Sequence, residues 1–398
     1  MKIALTGGSG IQGISAMIYL LDQPDVEEIF VSDAHNLELL QQRVAKLDDK
    51  RLRYAPLDCT DEDAAAAAFA GYDVVLNAAM VRGKFINVTK AALRAGCHYL
   101  DMTSLGQEPL QFELHDQFVA KGKTAVLDMG TAPGLSNVMA VYLMEKLDET
   151  DSIDFAWGVI DLTPQEEHTR PLYWGYGFDG IMGLISGPSL VYEDGELKQE
   201  EPRARPEAFA FQCGTHTMRG MPHREPQMLS ESFPDSGIKH IMYRQAFNEE
   251  NERKYTFLRD LGFGQREPIE VNGVKVAPFD VLWTLLQCLP EERGTPSNFV
   301  SEGNCIVRGT KNGQRVEIRL MVGVDSAGEM HRYYTAKGAS GSYRTGISAA
   351  ITATMLGRGE IAMPGVYRPE ICVPAAAYIR AQGAAGMDVR ETYTTSLG

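Results

Sequence analysis

The stretch from residue 3 to residue 33 constrains the fold of this chain more than any other. It begins with the apolar run Ile3-Ala4-Leu5, which predicts a buried strand, and continues into Thr6-Gly7-Gly8-Ser9-Gly10-Ile11-Gln12-Gly13. Residues 14–21 have the apolar spacing of a helix, and residues 28–32 predict a second strand that ends at Asp33. This order of strand, glycine-rich loop, helix and strand predicts a parallel βαβ unit.

The glycine-rich loop has the spacing of a dinucleotide-binding site. Gly8, Gly10 and Gly13 form the pattern G-x-G-x-x-G, and Asp33 lies 20 residues after Gly13. Glycines at these positions let the backbone approach a pyrophosphate, while the N-terminus of the following helix offers free N–H groups to its negative charge. The predicted cofactor-binding residues of this unit are Gly8, Ser9, Gly10, Ile11, Gly13 and Asp33.

The acid at position 33 predicts NAD as the cofactor, with NADP less favoured. Asp33 would accept both hydroxyls of the adenosine ribose, and a 2′-phosphate would meet its fixed negative charge. No arginine occupies positions 34–36 to neutralise that charge, and Arg43 lies too far along the next predicted helix to be assigned a role. Asp58, in the turn after the third predicted strand, either lies beside the adenine or serves as a turn or N-cap residue.

Strands and helices continue to alternate as far as residue 127. Strands are predicted at 51–55, 73–77, 98–101 and 124–127, with helical segments between them. This alternation predicts an α/β Rossmann fold, a doubly wound parallel sheet. The fourth strand ends in small residues at the edge where such a sheet binds its cofactor, so the predicted cofactor site also includes Asn77, Ala78 and Ala79.

The pattern changes after residue 130. Alternating stretches at 303–309, 315–323 and 330–336 predict an antiparallel sheet. Turns are predicted at 311–313 and 325–328, and the charged segment 194–207 is predicted to be an exposed loop. A helix rich in alanine and threonine is predicted at 343–356.

Composition limits the classes of partner. The formal net charge of -15 and the isoelectric point near 5.1 argue against a nucleic-acid or anionic-membrane partner, and no apolar run is long enough to cross a bilayer. The six cysteines are scattered, with no C-x-x-C pair and no histidine at metal spacing, so we expect reduced thiols and no metal site. With a strand predicted directly after Met1-Lys2, we expect no signal peptide and a cytoplasmic protein.

The glycine-rich loop also fits a second family. Thr6-Gly7-x-x-Gly10-x-x-Gly13 matches the fingerprint of the short-chain dehydrogenases, whose chemistry needs Tyr-x-x-x-Lys. The matching pairs are Tyr142/Lys146 and Tyr333/Lys337. That family also places a serine upstream of the tyrosine, whereas position 129, thirteen residues before Tyr142, is methionine. A short-chain type of reductase or epimerase stays open as an alternative.

Other segments of the chain resemble the saccharopine dehydrogenase family nearly from end to end. The matching segments are Gly96–Thr103, Gly130–Asn137 and Gly365–Glu370, with further similarity at Val191–Gly195, Tyr243-Arg244 and Leu258–Phe263. The elements G-x-x-P-G and G-V-x-x-P-E within these segments are fairly specific. The resemblance implies a Rossmann domain interrupted by an inserted α+β substrate domain with a mixed or antiparallel sheet. The implied divisions are a dinucleotide-binding domain at 1–130, a substrate-binding and dimerisation domain at 131–340, and C-terminal helices at 341–398 that return to the first domain.

The same resemblance implies an enzyme that makes or breaks a carbon–nitrogen bond with a nicotinamide cofactor. We predict an NAD(P)-dependent dehydrogenase or reductase that acts on CH–NH or CH–NH2 groups of a small amino-acid-like or polyamine-type substrate. In the oxidative direction hydride would leave the carbon next to nitrogen, and hydrolysis of the iminium would give a carbonyl compound and an amine. A homodimer is the default expectation. A non-catalytic protein that senses nucleotides also stays open.

Two residues are candidates for proton handling. Asp101 ends the fifth predicted strand at the edge of the expected cofactor crevice, where a carboxylate could orient the amine and help water attack. The alternative is a capping aspartate bonded to backbone N–H groups near Thr103 to Leu105. His240 precedes Arg244 by four positions and shares its face in a strand, which makes His240 a weak candidate for a general base.

The remaining candidates would contact the substrate. Arg244, which follows Tyr243, is the first candidate to bind a substrate carboxylate and Arg170 is the second; for both, the alternative is a surface salt bridge. Tyr173 and Trp174 belong either to the wall of a substrate pocket or to the core of the second domain. The predicted substrate-binding residues are therefore Arg244, Arg170, Tyr173, Trp174 and Tyr243.

Overall fold

The structure is a computed structural model that describes residues 1–168, 170–172, 177–289, 299–324, 328–339 and 342–395. The chain forms two compact units. Unit 1 consists of Met1–Lys146 and Glu329–Val389, and unit 2 consists of the described residues of Leu147–Gly328 and Arg390–Gly398. The predicted divisions after residues 130 and 340 stay predictions. Among the described residues, no helix is both long and apolar enough to span a membrane.

The strands are β1 (Lys2–Thr6), β2 (Glu28–Asp33), β3 (Leu52–Pro56), β4 (Val74–Asn77), β5 (His98–Asp101), β6 (Thr124–Val126), β7 (Glu149–Asp161), β8 (Ser189–Glu193), β9 (Glu196–Glu200), β10 (Glu207–Phe211), β11 (Gly214–Gly220), β12 (His240–Phe247), β13 (Ile269–Val271), β14 (Val274–Val276), β15 (Phe299–Lys311), β16 (Gln314–Val324), β17 (Gly365–Tyr367) and β18 (Asp388–Thr395).

The α-helices are α1 (Ile11–Leu21), α2 (Leu37–Leu47), α3 (Glu62–Phe69), α4 (Phe85–Ala95), α5 (Glu108–Phe112), α6 (His115–Ala120), α7 (Leu135–Met144), α8 (Phe178–Ser186), α9 (Glu225–Ser232), α10 (Glu249–Asp260), α11 (Pro278–Gln287), α12 (Glu329–Ala336), α13 (Arg344–Gly357), α14 (Pro369–Cys372) and α15 (Ala375–Ala384). A short 3-10 helix spans Gln165–Glu167.

Unit 1 is built on a seven-stranded parallel sheet with the order β3-β2-β1-β4-β5-β6-β17. The chain runs outward from β1 to β3 and then returns to β4 on the other side of β1. This reversal of strand order places a crevice at the carboxyl ends of β1 and β4. The short apolar strands are fully buried at Ile3, Leu5 and Val75, as expected for a sheet covered on both faces.

The C-terminal part of unit 1 completes the layer of helices. Helix α13 confirms the helix predicted at 343–356, and its first turn packs closely on α1. A Cβ atom at Gly346 would lie 2.7 Å from Ser15 Cβ, so only glycine allows this approach. The Gln12 side chain joins the two helices, because its Oε1 accepts the Gly346 N–H at 2.9 Å. Strand β17 then adds the last strand beside β6.

Unit 2 contains a mixed sheet of nine strands. Its main path is β10-β11-β12-β7-β15-β16-β18, and β8 pairs with both β12 and β9. The central pair β12 and β7 is parallel, whereas β15 runs antiparallel to both β7 and β16. The predicted Rossmann sheet with an inserted α+β domain and a mixed sheet is therefore confirmed, as is the turn predicted at 311–313, since β15 and β16 form a hairpin there.

Two local predictions are wrong. Residues 330–336 belong to helix α12, because the aromatic stretch buries His331 and Tyr334 at helical spacing and Tyr334 stacks on Tyr343 at 4.9 Å. The segment 194–207 is not one exposed loop, since β8 and β9 form a hairpin around Asp194-Gly195. Both turn residues have positive φ, of 52° and 88°, which fits a tight hairpin turn. Residues 325–327, most of the second predicted turn, lie outside the described residues.

Candidate functional site

The glycine-rich loop lies between β1 and α1 and contacts the end of β4. Gly7 has a φ of 72°, and a Cβ atom there would lie 2.6 Å from the backbone nitrogen of Ala79. A Cβ atom at Gly13 would lie 2.7 Å from Gly8 Cα. These close contacts fold the loop tightly at Gly7 and Gly13. By contrast, the nearest atom to a Cβ at Gly10 is the Gly7 oxygen at 3.2 Å, so the loop is more open at Gly10.

The first turn of α1 presents its backbone N–H groups at this open position. Gly10 has extended backbone dihedrals and is the N-cap of α1, without a side-chain cap. The first helical hydrogen bond is from the Ile14 N–H to the Gly10 oxygen at 3.1 Å, so the preceding N–H groups have no partner within the helix. Gly10 and Ile11 are exposed. This arrangement suits the pyrophosphate of a dinucleotide.

The Asp33 carboxylate joins the end of β2 to the glycine-rich loop. Its Oδ1 accepts the N–H groups of His35 at 3.0 Å and Asn36 at 3.1 Å. Its Oδ2 accepts the Ser9 hydroxyl and, at 3.4 Å, the Ser9 N–H. Burial by itself would raise the pKa of Asp33, but these hydrogen bonds outweigh burial and lower it. Asp33 is therefore an ionised group at the predicted ribose position, and hydrogen bonds from its own loop already engage it.

The other predicted cofactor residues lie near the carboxyl ends of β3 and β4. Asn77 is buried, and its Oδ1 accepts the Thr6 hydroxyl at 2.6 Å and the Ala79 N–H at 3.1 Å. These bonds tie β4 to β1 at the reversal of strand order. Asp58 is exposed, and it accepts both the N–H and the hydroxyl of Thr60, as a turn residue does.

Arg43, to which the sequence analysis assigned no role, contacts the glycine-rich loop. It lies on α2, and its Nη1 donates to the Gly10 oxygen at 2.9 Å. Burial lowers the pKa of Arg43, while the negative charge of Asp33 opposes that change, so the two charges interact. The sequence signal was its place two helical turns after Asn36, on the side of α2 where Leu40 is buried.

Asp101 ends a chain of buried hydrogen bonds that starts at the cofactor edge. The amide of Asn77 donates to the Tyr99 hydroxyl at 3.4 Å, and that hydroxyl donates to Asp101 Oδ2 at 3.0 Å. Gln111 Nε2 also donates to Oδ2, at 2.9 Å, and the Asp128 N–H donates to Oδ1 at 2.8 Å. Both carboxylate oxygens are thus engaged, and the side chain is fully buried.

The surroundings of Asp101 raise its pKa. Burial raises the pKa of Asp101 to about 6, and the negative charge of Glu108 adds to the effect, although the hydrogen bonds oppose it. The alternative of a cap for the turn at 103–105 is wrong, because it is Asp128 that accepts the Ser104 N–H. Asp101 instead fastens β5 to the end of β6. Its predicted catalytic role stays a prediction, and its burial favours a positioning role.

Two of the segments that resemble the saccharopine dehydrogenase family meet in unit 1. Gly134 has a φ of 120°, and its N–H donates to Asn137 Oδ1 at 3.1 Å at the start of α7. The Asn137 amide donates to Glu370 Oε2 at 3.0 Å, and both side chains are buried. Buried hydrogen bonds through Asn137 therefore connect the G-x-x-P-G element to the G-V-x-x-P-E element.

In unit 2, His240 and Arg244 share a face of β12, as predicted, because both reach Asp154 on β7. Arg244 Nη2 lies 2.7 Å from Asp154 Oδ1, Arg308 Nη1 lies 2.6 Å from Oδ2, and His240 Nε2 lies 3.5 Å from Oδ1. Burial alone would raise the pKa of Asp154, but the hydrogen bond from His240 and the two guanidinium charges lower it to about 2. Asp154 therefore stays ionised.

Arg244 is largely committed to carboxylates of its own unit. It also pairs with Glu207 on β10, so two side chains already occupy its guanidinium. Its Nε is buried without a hydrogen-bond acceptor among the described residues. The prediction that Arg244 binds a substrate carboxylate stays a prediction, and binding would have to displace Glu207 or Asp154.

Tyr243 faces the opposite side of the sheet from Arg244, because successive side chains alternate along a strand. It is 1% exposed, and its ring stacks on His223 at 3.9 Å between centroids and on Trp157 at 5.6 Å. His223 Nδ1 lies 3.2 Å from Glu225 Oε2. The sequence analysis did not predict this histidine–glutamate pair, since its only sign in the sequence is that a single residue separates His223 from Glu225.

Three further candidates lie in or near the segment after β7. Arg170 is half-buried in a bend, and its role stays a prediction. Tyr173 and Trp174 lie outside the described residues.

The tyrosine and lysine of the short-chain alternative are close, since Lys146 Nζ donates to the Tyr142 hydroxyl at 2.9 Å.

Together the reversal of strand order, the folded glycine loop and the N-terminus of α1 define a Rossmann protein with a dinucleotide site. The comparisons place it further. Residues 3–126 match the saccharopine dehydrogenase NADP-binding domain, and residues 130–382 match the saccharopine dehydrogenase C-terminal domain. The chain belongs to the saccharopine dehydrogenase family. It therefore has the nicotinamide-nucleotide domain of a family of oxidoreductases, as the sequence resemblance implied.

Two known proteins are similar over nearly the whole chain. Carboxyaminopropylagmatine dehydrogenase from Synechocystis sp. is 21% identical over 383 residues, which cover 93% of this chain and 92% of that protein. The structure of apo histidine-tagged saccharopine dehydrogenase (L-Glu forming) from Saccharomyces cerevisiae has a TM-score of 0.74 and 16% identity, with 99% of both chains covered. The second similarity is one of fold.

Proposed function

We propose that this protein is a nicotinamide-dependent dehydrogenase or reductase that makes or breaks a carbon–nitrogen bond of a small amino-acid-like or polyamine-type substrate. The observation that carries the proposal is the family match over nearly the whole chain, to the NADP-binding domain over residues 3–126 and to the C-terminal domain over residues 130–382. The similarity to a carboxyaminopropylagmatine dehydrogenase along almost the full chain supports a substrate with a substituted amine. A cytoplasmic location and a homodimer stay predictions from composition and default symmetry.

The residues of unit 1 fit a dinucleotide. The loop between Gly7 and Gly13 has no room for side chains at its two ends, and its exposed centre at Gly10 leaves backbone N–H groups for a pyrophosphate. Asp33 would face the adenosine ribose, and its charge favours NAD. Ala78 and Ala79 would border the crevice after β4. When bound, the nicotinamide ring would supply or accept the hydride.

The substrate side is proposed from unit 2. Arg244 would bind a carboxylate of the substrate in place of Glu207 or Asp154, with Arg170 as the second candidate. His240 would act as a general base, since its ring already contacts the ionised Asp154. Tyr173 and Trp174 would form part of the pocket wall. Tyr243 would act through its stacked partner His223 rather than through an exposed ring.

Asp101 is proposed to influence proton handling. Burial raises its pKa to about 6, toward neutral pH, and its hydrogen bond from the Asp128 N–H holds the end of β6. Since its side chain is buried, it would act by positioning the segment after Asp128 and not by touching the substrate.

A turnover assay tests this proposal. The protein is mixed with oxidised nicotinamide cofactor and a panel of amino acids, secondary amines and polyamine derivatives, and absorbance is followed at the band of the reduced nicotinamide. We expect reduction with at least one secondary amine that carries a carboxylate. Nucleotide binding without turnover in either direction across the panel would favour a nucleotide-sensing protein. Turnover with alcohols, abolished by Tyr142→Phe, would favour the short-chain alternative.

A further inference from the structure

The choice between NAD and NADP depends on which charges surround the ribose site. The carboxylate of Asp33 alone would repel a 2′-phosphate. However, its oxygens already accept hydrogen bonds from Ser9, His35 and Asn36, so the ribose hydroxyls would have to compete with these donors. The hydrogen bonds of Asp33 with Ser9 therefore hold the glycine-rich loop to the end of β2.

The guanidinium of Arg43 brings a positive charge to the same loop. Packing of α2 fixes its position, because Leu40 is fully buried one turn earlier and a Cβ atom at Gly8 would lie 3.0 Å from Leu40 Cδ1. Arg43 Nη1 then donates to the Gly10 oxygen at 2.9 Å. Arg43 is thus held on the glycine loop and is not free on the surface.

Most of the hydrogen-bonding capacity of Arg43 remains available. Among the described residues, its only hydrogen-bond acceptor is the Gly10 oxygen, whereas a guanidinium carries about five N–H donors. It is half-buried, and its charge interacts with that of Asp33. A planar fork of donors near Asp33, the carboxylate at the predicted ribose position, matches the geometry of a phosphate.

We propose that Arg43 binds the 2′-phosphate of NADP(H) and thereby admits this cofactor beside NAD(H). Arg43 offsets the charge of Asp33, so the two residues act in opposite directions on cofactor choice. The inference deepens the proposed function, since it rests on the nicotinamide-nucleotide site but not on the identity of the substrate.

Nucleotide binding tests this inference without any turnover. Affinities for NADH, NADPH, 5′-AMP and 2′,5′-ADP are measured by fluorescence or calorimetric titration for the unaltered protein and for Arg43→Gln. We expect the unaltered protein to bind both reduced cofactors. Arg43→Gln should weaken the binding of NADPH relative to NADH, and of 2′,5′-ADP relative to 5′-AMP, by about 10- to 150-fold, as expected for loss of a hydrogen bond from a charged group.

Two further variants sharpen the result. Arg43→Lys keeps the charge but loses the fork, so it should fall between the unaltered protein and Arg43→Gln for NADPH. Arg53→Gln is the matched control, because Arg53 also donates once to a backbone oxygen, that of Lys50 at 3.2 Å, but at the amino end of β3, at the edge of the sheet away from the loop. It should leave all four affinities unchanged. Melting temperatures show whether each variant is folded.

The possible failures can be separated. If Arg43→Gln weakened NADH and NADPH equally, Arg43 would only support the loop, and the inference would be overturned. If the unaltered protein bound NADH but neither NADPH nor 2′,5′-ADP, the inference would fail while the proposed function survived. If it bound no nicotinamide nucleotide, both would fail.

Discussion

The pKa of Asp101 gives a prediction about stability that the structure allows us to work out. Burial raises this pKa from 3.8 to about 6. Between pH 3.8 and about pH 6, Asp101 is therefore protonated in the folded state and ionised in the unfolded chain. The contribution of Asp101 to stability is fully present below pH 3.8 and is lost as the pH rises through about 6.

The size of the effect follows from the shift. From about pH 5 to about pH 7.5, a group with these two pKa values removes about 1.4 kcal/mol from the free energy of unfolding. Asp101→Asn cannot titrate and removes this dependence. The free energy of unfolding of the variant will also differ by an amount that does not change with pH, because the new amide faces the donors of Tyr99 and Asp128. Rotation of the Gln111 amide limits this difference, since Gln111 Oε1 is buried, has no partner among the described residues and could accept a hydrogen bond.

Urea denaturation at the two pH values measures the effect. The difference in unfolding free energy between the unaltered protein and Asp101→Asn should change by about 1.4 kcal/mol from pH 5 to pH 7.5, in favour of the variant at the higher pH. The matched control is Asp116→Asn, which makes the same charge change at an exposed position on α6. Parallel pH profiles for all three proteins would refute the raised pKa. In the same variant, a fall in turnover of about 100-fold or more with unchanged nucleotide affinity would support the proposed influence of Asp101 on proton handling.

Two other predictions concern one residue in each unit. Gly7→Ala should abolish nucleotide binding, because its φ of 72° strains an L-residue and its Cβ would lie 2.6 Å from Ala79 N. Gly71→Ala has the same kind of strain at a φ of 84° but nothing within 4 Å, so it should still bind nucleotide, and equal loss in both variants would contradict the steric argument. Arg244→Lys should lower kcat/KM for the substrate by about tenfold or more while nucleotide affinity is unchanged. An unchanged kcat/KM would leave Arg244 as a partner of Asp154 alone and transfer the carboxylate-binding role to Arg170.

Features encoded over short distances in the sequence were predicted well. The first βαβ unit follows from the apolar runs and the glycines, and the contacts at Gly7 and Gly13 show why no larger residue fits there. The hairpin between β15 and β16 follows from Asn312-Gly313, since both residues have positive φ. In these cases each residue acts through its own backbone or its nearest neighbours.

Features that depend on distant contacts were not predictable in the same way. Asp101 receives the N–H of Asp128, which lies 27 residues later and arrives only because β6 pairs with β5. Arg244 meets Asp154, which is 90 residues away along the chain, because β7 and β12 are neighbours in the sheet. Arg43 reaches the glycine loop through the packing of α2. Local sequence patterns do not predict these contacts, because the contacts depend on which strands and helices are neighbours in the fold.

Transfer of a labelled hydrogen tests the central claim most directly. The protein is incubated with reduced nicotinamide cofactor deuterated at the hydride-donating carbon, together with a carboxylate-bearing primary amine and a panel of carbonyl compounds. We predict a secondary amine that carries one deuterium on the carbon next to nitrogen, detected by mass spectrometry with fragmentation. Deuterium on the carbon of an alcohol, or cofactor binding with no labelled product from any pair, would contradict the proposal that this protein is a carbon–nitrogen oxidoreductase.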